Sequence, residues 1–281
     1  MTSKKSCEKK RLKFCVIYVH KESEGSKKNL RLFLDNGVLE KDDVFYTFAI
    51  NGKKLSAPIP KSQNIKILKR ENIGHDFGAW KECLDALEAE NMIFDRYIFM
   101  NDTVAGPFLP RYIKSKRWYK MFCRLLSSKV KLSGLSINSD PWDLGKPDMQ
   151  HVQSMMFCTD RIGLKILKKK IFCHDAIEFQ KIYNNDRKDF IVKFEIGMSR
   201  AILEQGYRIA ALYIADKLKN KTGDIWGDGK YFGTTMNPFE TMFIKANRIS
   251  SPIIDLYTDS LRQSKTDTDQ NSPGTHEIIE F

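Results

Sequence analysis

The chain has 281 residues, a formal net charge of +12 and a hydrophobic fraction of 42%. This length can bury a substantial core, and the ordinary composition excludes a disordered or fibrous chain. No apolar run approaches ~18 residues, which excludes a membrane-spanning helix, and the amino terminus is too polar for a signal peptide. We therefore expect the whole chain to work in the compartment where it is made.

Cysteines and charge leave the function class open. The six cysteines show no paired CxxC spacing, which favours reduced core thiols over a disulfide framework or a zinc site. The first thirteen residues hold six basic residues and one acid, Glu8, for a net +5. The other basic residues are scattered without interleaved aromatics. The charge suits nucleic acid, a diphosphate substrate or an anionic membrane, and it does not choose between them.

Strands and helices alternate in the first half. Apolar runs bounded by charge predict four strands, at 13–21, 42–51, 64–72 and 96–102. A helix is predicted at 26–37, with Ser26 as its cap and Gly37 as its end, and a second helix at 77–91. This alternation is typical of an α/β fold with a doubly wound, parallel sheet.

The second half is less regular. It predicts a helix at 111–128, an amphipathic helix at 189–206, and strands at 131–138, 151–159 and 207–214. From residue 264 the chain is polar and is expected to be mobile. In open α/β sheets, ligands bind at the carboxyl ends of strands. The polar residues 70–72 and 101–102, which end the third and fourth strands, are therefore expected to line one crevice.

Five short blocks carry a family resemblance. They are ENIGHDFGAWKECL, YIFMNDTVAGPF, HVQSMMF, FEIGMSRAILEQGYRIAALY and GTTMNP. In this order they resemble the rhamnan-synthesis F family, to which glycosyltransferases of large algal viruses are related, and the resemblance runs from residue 14 to 245. It implies a GT-A fold, which is a Rossmann-like three-layer sandwich around a mostly parallel mixed sheet. It also implies a nucleotide-sugar donor, with a UDP-sugar favoured, and Mn²⁺ or Mg²⁺.

The resemblance also implies a domain plan. A basic arm at 1–12 precedes a single glycosyltransferase domain at 13–263, and a tail follows at 264–281. Within the domain, 13–105 is expected to bind the nucleotide sugar and 106–263 to supply acceptor and catalytic residues.

Donor contacts are predicted where the second helix begins. Asp76 can accept hydrogen bonds from sugar hydroxyls, and the helix amides can assist with anionic groups. Gly74 removes a side chain where a ligand must approach, and Asn72 and His75 flank it. Asp76 as a simple helix cap is the alternative. His75 is more often a solvated or satisfied histidine than a catalyst.

Metal or donor contact is predicted at the end of the fourth strand. GT-A enzymes usually carry Asp-x-Asp there, because a hard divalent cation prefers oxygen ligands beside the diphosphate. This chain has Asn101-Asp102-Thr103, so only Asp102 can give a carboxylate and metal dependence is in doubt. An Asx-type turn is the structural alternative.

The general base is predicted to be Glu195. An inverting transfer needs a carboxylate within reach of the acceptor hydroxyl, and Glu195 precedes the helix, glycine and strand that the resemblance places after the base. A lone Glu near a helix start is otherwise structural. Asp148 is the reserve candidate.

Acceptor contacts are predicted from a loop and the strand after it. Trp142 can stack on a sugar ring, Asp143 can bind hydroxyls, and His151 and Gln153 alternate on one strand face. Ordinary edge polarity explains that face equally well. The glycine-rich stretch 226–238 is either a closing flap or a plain loop.

Taken together, the resemblance implies an inverting glycosyltransferase of glycan, polysaccharide or viral glycoprotein synthesis. Its sugar would be a pentose or deoxyhexose, such as xylose or rhamnose, and its acceptor a glycan. A catalytically decayed sugar-binding or scaffold protein of the same fold is the first alternative, and a basic nucleic-acid-binding protein is the second. We expect a cytoplasmic protein, in the host cytoplasm if viral, with peripheral membrane contact through the basic amino terminus left open.

Overall fold

The strands form one large mixed sheet and one small pair. The computed structural model describes residues 11–110, 113, 115–138, 149–213, 238–246, 252 and 254–261. Its strands are β1 (Phe14–Lys21), β2 (Val44–Asn51), β3 (Ile65–Arg70), β4 (Arg96–Asn101), β5 (Val104–Ala105), β6 (Val130–Asn138), β7 (His151–Val152), β8 (Met156–Asp160), β9 (Arg208–Tyr213) and β10 (Ile244–Lys245). The large sheet has the order β3-β2-β1-β4-β8-β6-β7, with β9 beside β6, and β10 pairs with β5.

Strand direction decides which residues meet at each edge of the sheet. β1 runs parallel to β2 and β4, β2 runs parallel to β3, and β6 runs parallel to β9. β8 is antiparallel to both β4 and β6. The carboxyl ends of β1–β4 and the start of β8 therefore lie at the same edge, which we call the site edge.

Helices cover both faces of the sheet. They are α1 (Glu24–Asn36), α2 (His75–Ala89), α3 (Trp118–Phe122), α4 (Arg161–Lys170), α5 (Ala176–Asn185), α6 (Arg187–Phe190), α7 (Gly197–Leu203) and α8 (Pro238–Thr241). A 3-10 turn spans Cys123–Leu125, and a π-helical turn spans Ile191–Ile196.

Alternate side chains of β1 enter two separate cores, because successive residues of a strand point to opposite faces. Ile17 packs in the core that includes Trp80 of α2, whereas Tyr18 packs in the core that includes Phe33 of α1 and Trp118 of α3. This is a three-layer α/β sandwich around a mostly parallel mixed sheet, so the predicted fold class is confirmed. Within the described ranges, no helix is both long and apolar enough to span a membrane.

Two predicted details of the first half are corrected. Ser23, and not Ser26, caps α1: the Ser23 hydroxyl accepts from the Ser26 amide, and the Ser26 hydroxyl accepts from the Ser23 amide. Gly37 does end this helix, as expected. The long helix predicted at 111–128 is wrong in extent. In the described part of that segment, only α3 and the 3-10 turn are helical, and the buried Trp118 indole donates to the Gly37 carbonyl at 2.7 Å.

Three further differences lie in the second half. The strand predicted at 151–159 is two strands, β7 and β8, separated by residues 153–155. The helix predicted at 189–206 is α6 and α7 joined by the π-helical turn. Neither α4 nor α5 was predicted from the sequence.

Candidate active site

The loop before α2 is fixed by Arg70, the last residue of β3. Its guanidinium binds both carboxylate oxygens of Glu82 on α2, at 2.8 and 2.7 Å. It also donates to the Asn51 side chain at the end of β2 (2.5 Å) and to the Ile73 carbonyl (2.6 Å). One buried planar cation therefore joins two strand ends to the start of the helix, and a rigid fork of donors suits this task. Asn72 lies partly buried in this loop.

The two glycines around His75 and Asp76 accommodate a helix. Gly74 has φ +72°, and a Cβ there would lie 2.5 Å from the Ala176 carbonyl oxygen at the start of α5. A Cβ on Gly78 would lie 2.7 Å from the Ile73 carbonyl oxygen and 3.2 Å from the Ala176 Cβ. Ala176 is the group that approaches both glycines, so close packing of α5 requires them. Donor contact at Gly74 stays a prediction.

His75 is held in an unusual conformation. Its φ is 51°, which costs a non-glycine residue energy and is found preferentially at functional sites. Its ring packs on Tyr183 of α5, with 3.9 Å between centroids, and its Nε2 is buried with no hydrogen-bond partner among the described residues. Burial lowers the pKa of His75, and the positive charges of Lys21 and Arg187 lower it further. The imidazole is therefore kept neutral.

Asp76 lies in the first turn of α2 without capping it. The cap residue is Gly74, which has no side chain to cap the helix. Asp76 Oδ2 instead accepts a hydrogen bond from Asn101 Nδ2 at the end of β4, at 2.7 Å. Burial raises the pKa of Asp76 to about 6; the bond from Asn101 opposes this rise, and the charges of Asp102 and Glu195 add to it. Asp102 and Glu195 therefore both lie within electrostatic range of Asp76.

Asp102 is oriented by β1 and α1. Its Oδ2 accepts from the Lys21 amide at 2.6 Å, and its backbone carbonyl accepts from the Asn29 side chain at 2.8 Å. Beside it, Asn101 Oδ1 accepts from both the amide and the hydroxyl of Thr103, at 3.2 and 2.6 Å. The Asx-type turn is therefore present. Since the Asn101 amide oxygen already accepts from Thr103, the side chain of this segment that can bind a cation or a donor is the Asp102 carboxylate.

A buried histidine links Asp102 to a second acid. The fully buried His20 places Nε2 3.0 Å from Glu22 Oε2 and Nδ1 3.3 Å from Asp102 Oδ2. Burial alone would lower the pKa of His20, but the carboxylates of Asp102 and Glu22 outweigh it and raise that pKa. Hydrogen bonds from Ser56 and His20 lower the pKa of Glu22 to about 2.

Glu195 lies in the π-helical turn before α7, and not at a helix start. π-Turns inside helices are frequent at functional sites. Glu195 Oε1 accepts from the Ser154 amide at 3.0 Å, just before β8, which enters the sheet at the site edge. His151 Nε2 lies 3.9 Å from the same oxygen, beyond hydrogen-bond distance.

The predicted acceptor residues divide into two groups. His151 and Gln153 are both buried. His151 Nδ1 lies 2.6 Å from the Met149 carbonyl oxygen, and Gln153 Oε1 accepts from the Ser136 hydroxyl of β6 at 2.6 Å. Gln153 therefore ties the chain before β8 to β6, and acceptor contact by either residue stays a prediction. Trp142, Asp143, the reserve base Asp148 and residues 226–237 lie outside the described residues.

A divalent cation fits this edge only with help from a substrate. Among the described residues, no group of three or more His, Cys, Asp or Glu side chains could hold a metal ion. However, Mg²⁺-like ions often use one or two carboxylates together with substrate phosphates. Asp76 and Asp102 can supply these two carboxylates. Burial raises the pKa of Asp76, and the charge of Asp102 raises it further; a cation would relieve the repulsion between the two carboxylates. The donor set therefore fits an ion that a bound diphosphate helps to hold.

Sequence reasoning missed the contribution of β1. The rule applied to the third and fourth strands, that polar residues at a carboxyl end line the crevice, also singles out His20 and Lys21 at the end of β1. Three other contacts had no signal in the sequence. They are the Ser154 amide, the Ser56 amide and Lys245 of β10, whose charge lowers the pKa of Asp76.

The fold is a mixed α/β sheet whose carboxyl edge holds Asp102 and, close by in α2, Asp76. The comparison with protein families is specific: the model for rhamnan synthesis protein F matches residues 60–257, which is more than two-thirds of the chain. The chain belongs to this family. β1 and β2, which lie between β3 and β4 in the sheet, both precede the matched segment.

Individual relatives are distant. The virulence protein VirA of Vibrio anguillarum is 25% identical over 158 residues, covering 54% of this chain and 44% of VirA. The uncharacterized protein y4gN of Sinorhizobium fredii is 25% identical over 153 residues, covering 54% of this chain and 36% of y4gN. The chain thus spans less than half the length of these curated relatives. Among solved structures, a mannosyltransferase of Pyrobaculum calidifontis in complex with GDP-Man and Mn²⁺ has a TM-score of 0.43 and 10% identity, covering 72% of this chain and 55% of that chain.

Proposed function

We propose that the chain transfers a sugar from a nucleoside-diphosphate donor to a hydroxyl of a glycan acceptor, with inversion at the anomeric carbon. The observation that carries this proposal is the Asp76 carboxylate in the first turn of α2, which is hydrogen-bonded to Asn101 at the end of β4 and whose pKa is raised by burial and by the charges of Asp102 and Glu195. Packing alone gives no reason to bring acids together. Sugar hydroxyls need such acceptors, and a cation held between the acids and the diphosphate would offset their charge.

Asp76 binds the donor sugar in this proposal. Asn101 holds one carboxylate oxygen, and the other is directed to the sugar hydroxyls as an acceptor. The neutral imidazole of His75 offers Nε2 to the same substrate. Asn72 and Gly74 complete the wall of the donor site. With a pKa of about 6, Asp76 is mostly ionised at neutral pH.

Asp102 contacts the cation or the ribose of the donor. Its orientation by the Lys21 amide fixes one oxygen and leaves Oδ1 for the ligand. When bound, Mn²⁺ or Mg²⁺ would neutralise charge that develops on the departing diphosphate. The cations Lys21 and Arg187, both exposed beside His75, add positive charge on the same side.

Glu195 is the base that accepts the proton of the acceptor hydroxyl. As that oxygen forms its bond to the anomeric carbon, the bond from this carbon to the diphosphate oxygen breaks, and the proton passes to the carboxylate. The Ser154 amide fixes Oε1 and thereby orients Oε2 for this task. The acceptor is expected to enter from the side of Ser154, next to the Glu195 carboxylate.

The sugar is proposed at the level of its class. The family description, rhamnan synthesis, supports a deoxyhexose such as rhamnose, with a pentose such as xylose as the next choice and UDP as the favoured nucleotide. We further propose that the protein acts in the cytoplasm, with the basic amino terminus as its point of contact if it meets a membrane.

The first experiment is a donor screen. The protein is incubated with UDP-, dTDP- and GDP-sugars and an oligosaccharide acceptor, with MnCl₂ or with EDTA, and released nucleoside diphosphate is measured. Acceptor-dependent release from one donor class, with product of inverted anomeric configuration by NMR, supports the proposal. Donor binding without release from any member of the panel favours the alternative, a decayed sugar-binding protein of this fold.

Glu195→Gln tests the base. We expect turnover to fall by ~10²- to 10⁴-fold, because the amide cannot take the proton, while donor affinity stays unchanged. Glu204→Gln, the same substitution at an exposed residue just after α7, is the matched control and should retain turnover. Normal turnover of Glu195→Gln would show that another group is the base.

A further inference from the structure

His20 is completely buried at the carboxyl end of β1, between acids from two different segments. Its Nε2 lies 3.0 Å from Glu22 Oε2, and its Nδ1 lies 3.3 Å from Asp102 Oδ2. Nε2 is hydrogen-bonded to Glu22, whereas Nδ1 meets Asp102 as a charge contact and has no hydrogen-bond partner among the described residues. The ring is completely buried, so its effect on the site must pass through its neighbours.

Each of the two acids is bound to a different segment at the site edge. Asp102 Oδ2 also accepts from the Lys21 amide at 2.6 Å, which fixes the carboxylate at the end of β4. Glu22 Oε2 also accepts from the Ser56 amide at 3.2 Å, in the loop that follows β2. This loop begins at Gly52, and it carries the exposed Lys53 and Lys54. His20 is the group that both acids share.

We propose that His20 is a positioning residue that joins the Asp102 carboxylate to Glu22. Through Glu22 it also restrains the loop after β2. The end of β4 and this loop are thereby kept in a fixed relative position on the two sides of the donor site. This rests on the proposed function for its meaning, because the fixed position is useful only if a nucleotide binds between the two segments. The structural part of the proposal can be tested without any substrate. It states that the His20 ring, through Asp102 and Glu22, restrains the backbone amides of Lys21 and Ser56.

Two substitutions each remove one of the two contacts made by the ring nitrogens of His20. The asparagine amide group reaches about as far as Nδ1, so His20→Asn keeps a polar group near Asp102 and loses the contact with Glu22. The glutamine amide group reaches about as far as Nε2, so His20→Gln keeps the contact with Glu22 and loses the one with Asp102. Tyr18→Phe is the matched control, because Tyr18 is buried on the same face of β1 and its hydroxyl has no hydrogen-bond partner among the described residues.

Hydrogen exchange of two backbone amides is the first readout. His20→Asn should speed exchange of the Ser56 amide by about tenfold or more and leave the Lys21 amide unchanged, because a hydrogen bond to a charged group is worth roughly that factor. His20→Gln should do the reverse. Tyr18→Phe should alter neither amide. Equal effects of His20→Asn and His20→Gln on both amides, or the same effects from Tyr18→Phe, would mean that His20 only fills space, and the proposal would be wrong.

Nucleotide affinity is the second readout. UDP with MnCl₂ is titrated by calorimetry into each folded variant. His20→Gln should weaken UDP binding about tenfold, since Asp102 is released, whereas Tyr18→Phe should stay within about twofold of the parent protein. Unchanged UDP affinity in His20→Gln overturns the link to the donor site. If the parent protein itself does not bind UDP, the favoured nucleotide is wrong, and the exchange experiment still decides the role of His20.

Discussion

At the scale of single residues, His75 and Asp76 are adjacent in the chain and have opposite pKa shifts. Burial lowers the pKa of His75 and raises that of Asp76, so burial disfavours the charged form of each, although Asp76 is still mostly ionised at neutral pH. Only Asp76 has a polar side-chain partner, Asn101. Titratable pairs whose pKa values are displaced in this way are enriched at functional sites. These two residues also carry the strongest sequence motif of the chain.

The raised pKa of Asp76 predicts a stability change that depends on pH. Its folded-state pKa of about 6 exceeds the ordinary aspartate value of 3.8, so the stabilising contribution is complete below pH 3.8 and is lost as the pH rises through 6. Asp76→Asn keeps the hydrogen bond from Asn101 and cannot ionise. We therefore expect this variant to be more stable than the parent by about 1–3 kcal/mol at pH 8.

Urea unfolding at pH 4.5 and pH 8 measures this difference. The gain should be much smaller at pH 4.5, and transfer activity should be lost at both values of pH. An equal gain at the two values would mean that the carboxyl group is not the source of the effect.

At the scale of elements, the start of α2 is shaped by α5. Ala176 fills the space in front of Gly74 and Gly78, and Gln180 Oε1 accepts from the Gly74 amide at 2.9 Å. The ring of Tyr183 packs on His75. Three residues of α5 thus hold the turn that carries His75 and Asp76, and α5 acts as the support of the candidate donor site.

Glycine-to-alanine substitutions test this support. Gly74→Ala should destabilise the protein by more than ~2 kcal/mol, because it combines a positive φ with a clash against the Ala176 backbone. Gly52→Ala has a positive φ but open space, so it should cost only about 1 kcal/mol. Gly25→Ala in α1 has neither problem and should be neutral or stabilising. Thermal melts rank the three variants. A Gly74→Ala variant no worse than Gly52→Ala would contradict the packing argument.

The sequence predicted the first half of the fold well, because β1, β2 and β4 are mostly apolar runs, as burial on both faces of the sheet requires. It failed where tertiary contacts decide. Residues 111–128 have helical spacing, but Trp118 is drawn into the core by its bond to Gly37, and the helix is short. The π-helical turn at Glu195 also has no local signal, since the contact at its carboxylate comes from the distant Ser154.

At the scale of the whole molecule, the two edges of the sheet differ in how their charges are arranged. At the amino edge, Asp43 is buried and fully satisfied: Tyr119 donates to Oδ1 and Lys120 binds Oδ2, both at 2.6 Å. Burial opposes ionisation, but the hydrogen bonds from Lys120 and Tyr119 hold the pKa of Asp43 at about 2. At the site edge, by contrast, the charges of Asp102 and Glu195 both raise the pKa of the buried Asp76. The first arrangement stabilises the fold, and the second costs stability.

Asp43→Asn should therefore destabilise the protein without changing the site. We expect a loss of about 3 kcal/mol at pH 7, since Lys120 is left without its charge partner. The difference should shrink as the pH falls through 3.8 towards 2, where Asp43 itself becomes protonated. Urea unfolding measures the loss. Asp42→Asn, at the exposed neighbouring acid, is the control and should leave the unfolding midpoint unchanged. Altered nucleotide affinity in Asp43→Asn would contradict the separation of the two edges.

How much of the site could be predicted follows from strand direction. Asp102 was predicted because it stands just beyond a parallel strand, where the carboxyl-edge rule applies, whereas Asp76 was predicted from the helix start and the family resemblance. The hydrogen bond between Asn101 and Asp76 was not predicted. It joins residues 25 positions apart, and it depends on the order of the strands in the sheet. The Ser154 amide was not found because it precedes a strand, and that rule concerns residues that follow one.

The reversed direction of β8 has a consequence for how such proteins can diversify. β1 and β4 end at the site edge, and β6 ends there too, because β4 and β6 are both antiparallel to β8. If the chain acts as proposed, evolution could exchange the sequence that follows β6 and change the recipient of the sugar, while the contacts at the ends of β1 and β4 are inherited unchanged. Chimaeras that swap only this segment between family members would test whether the recipient changes with it.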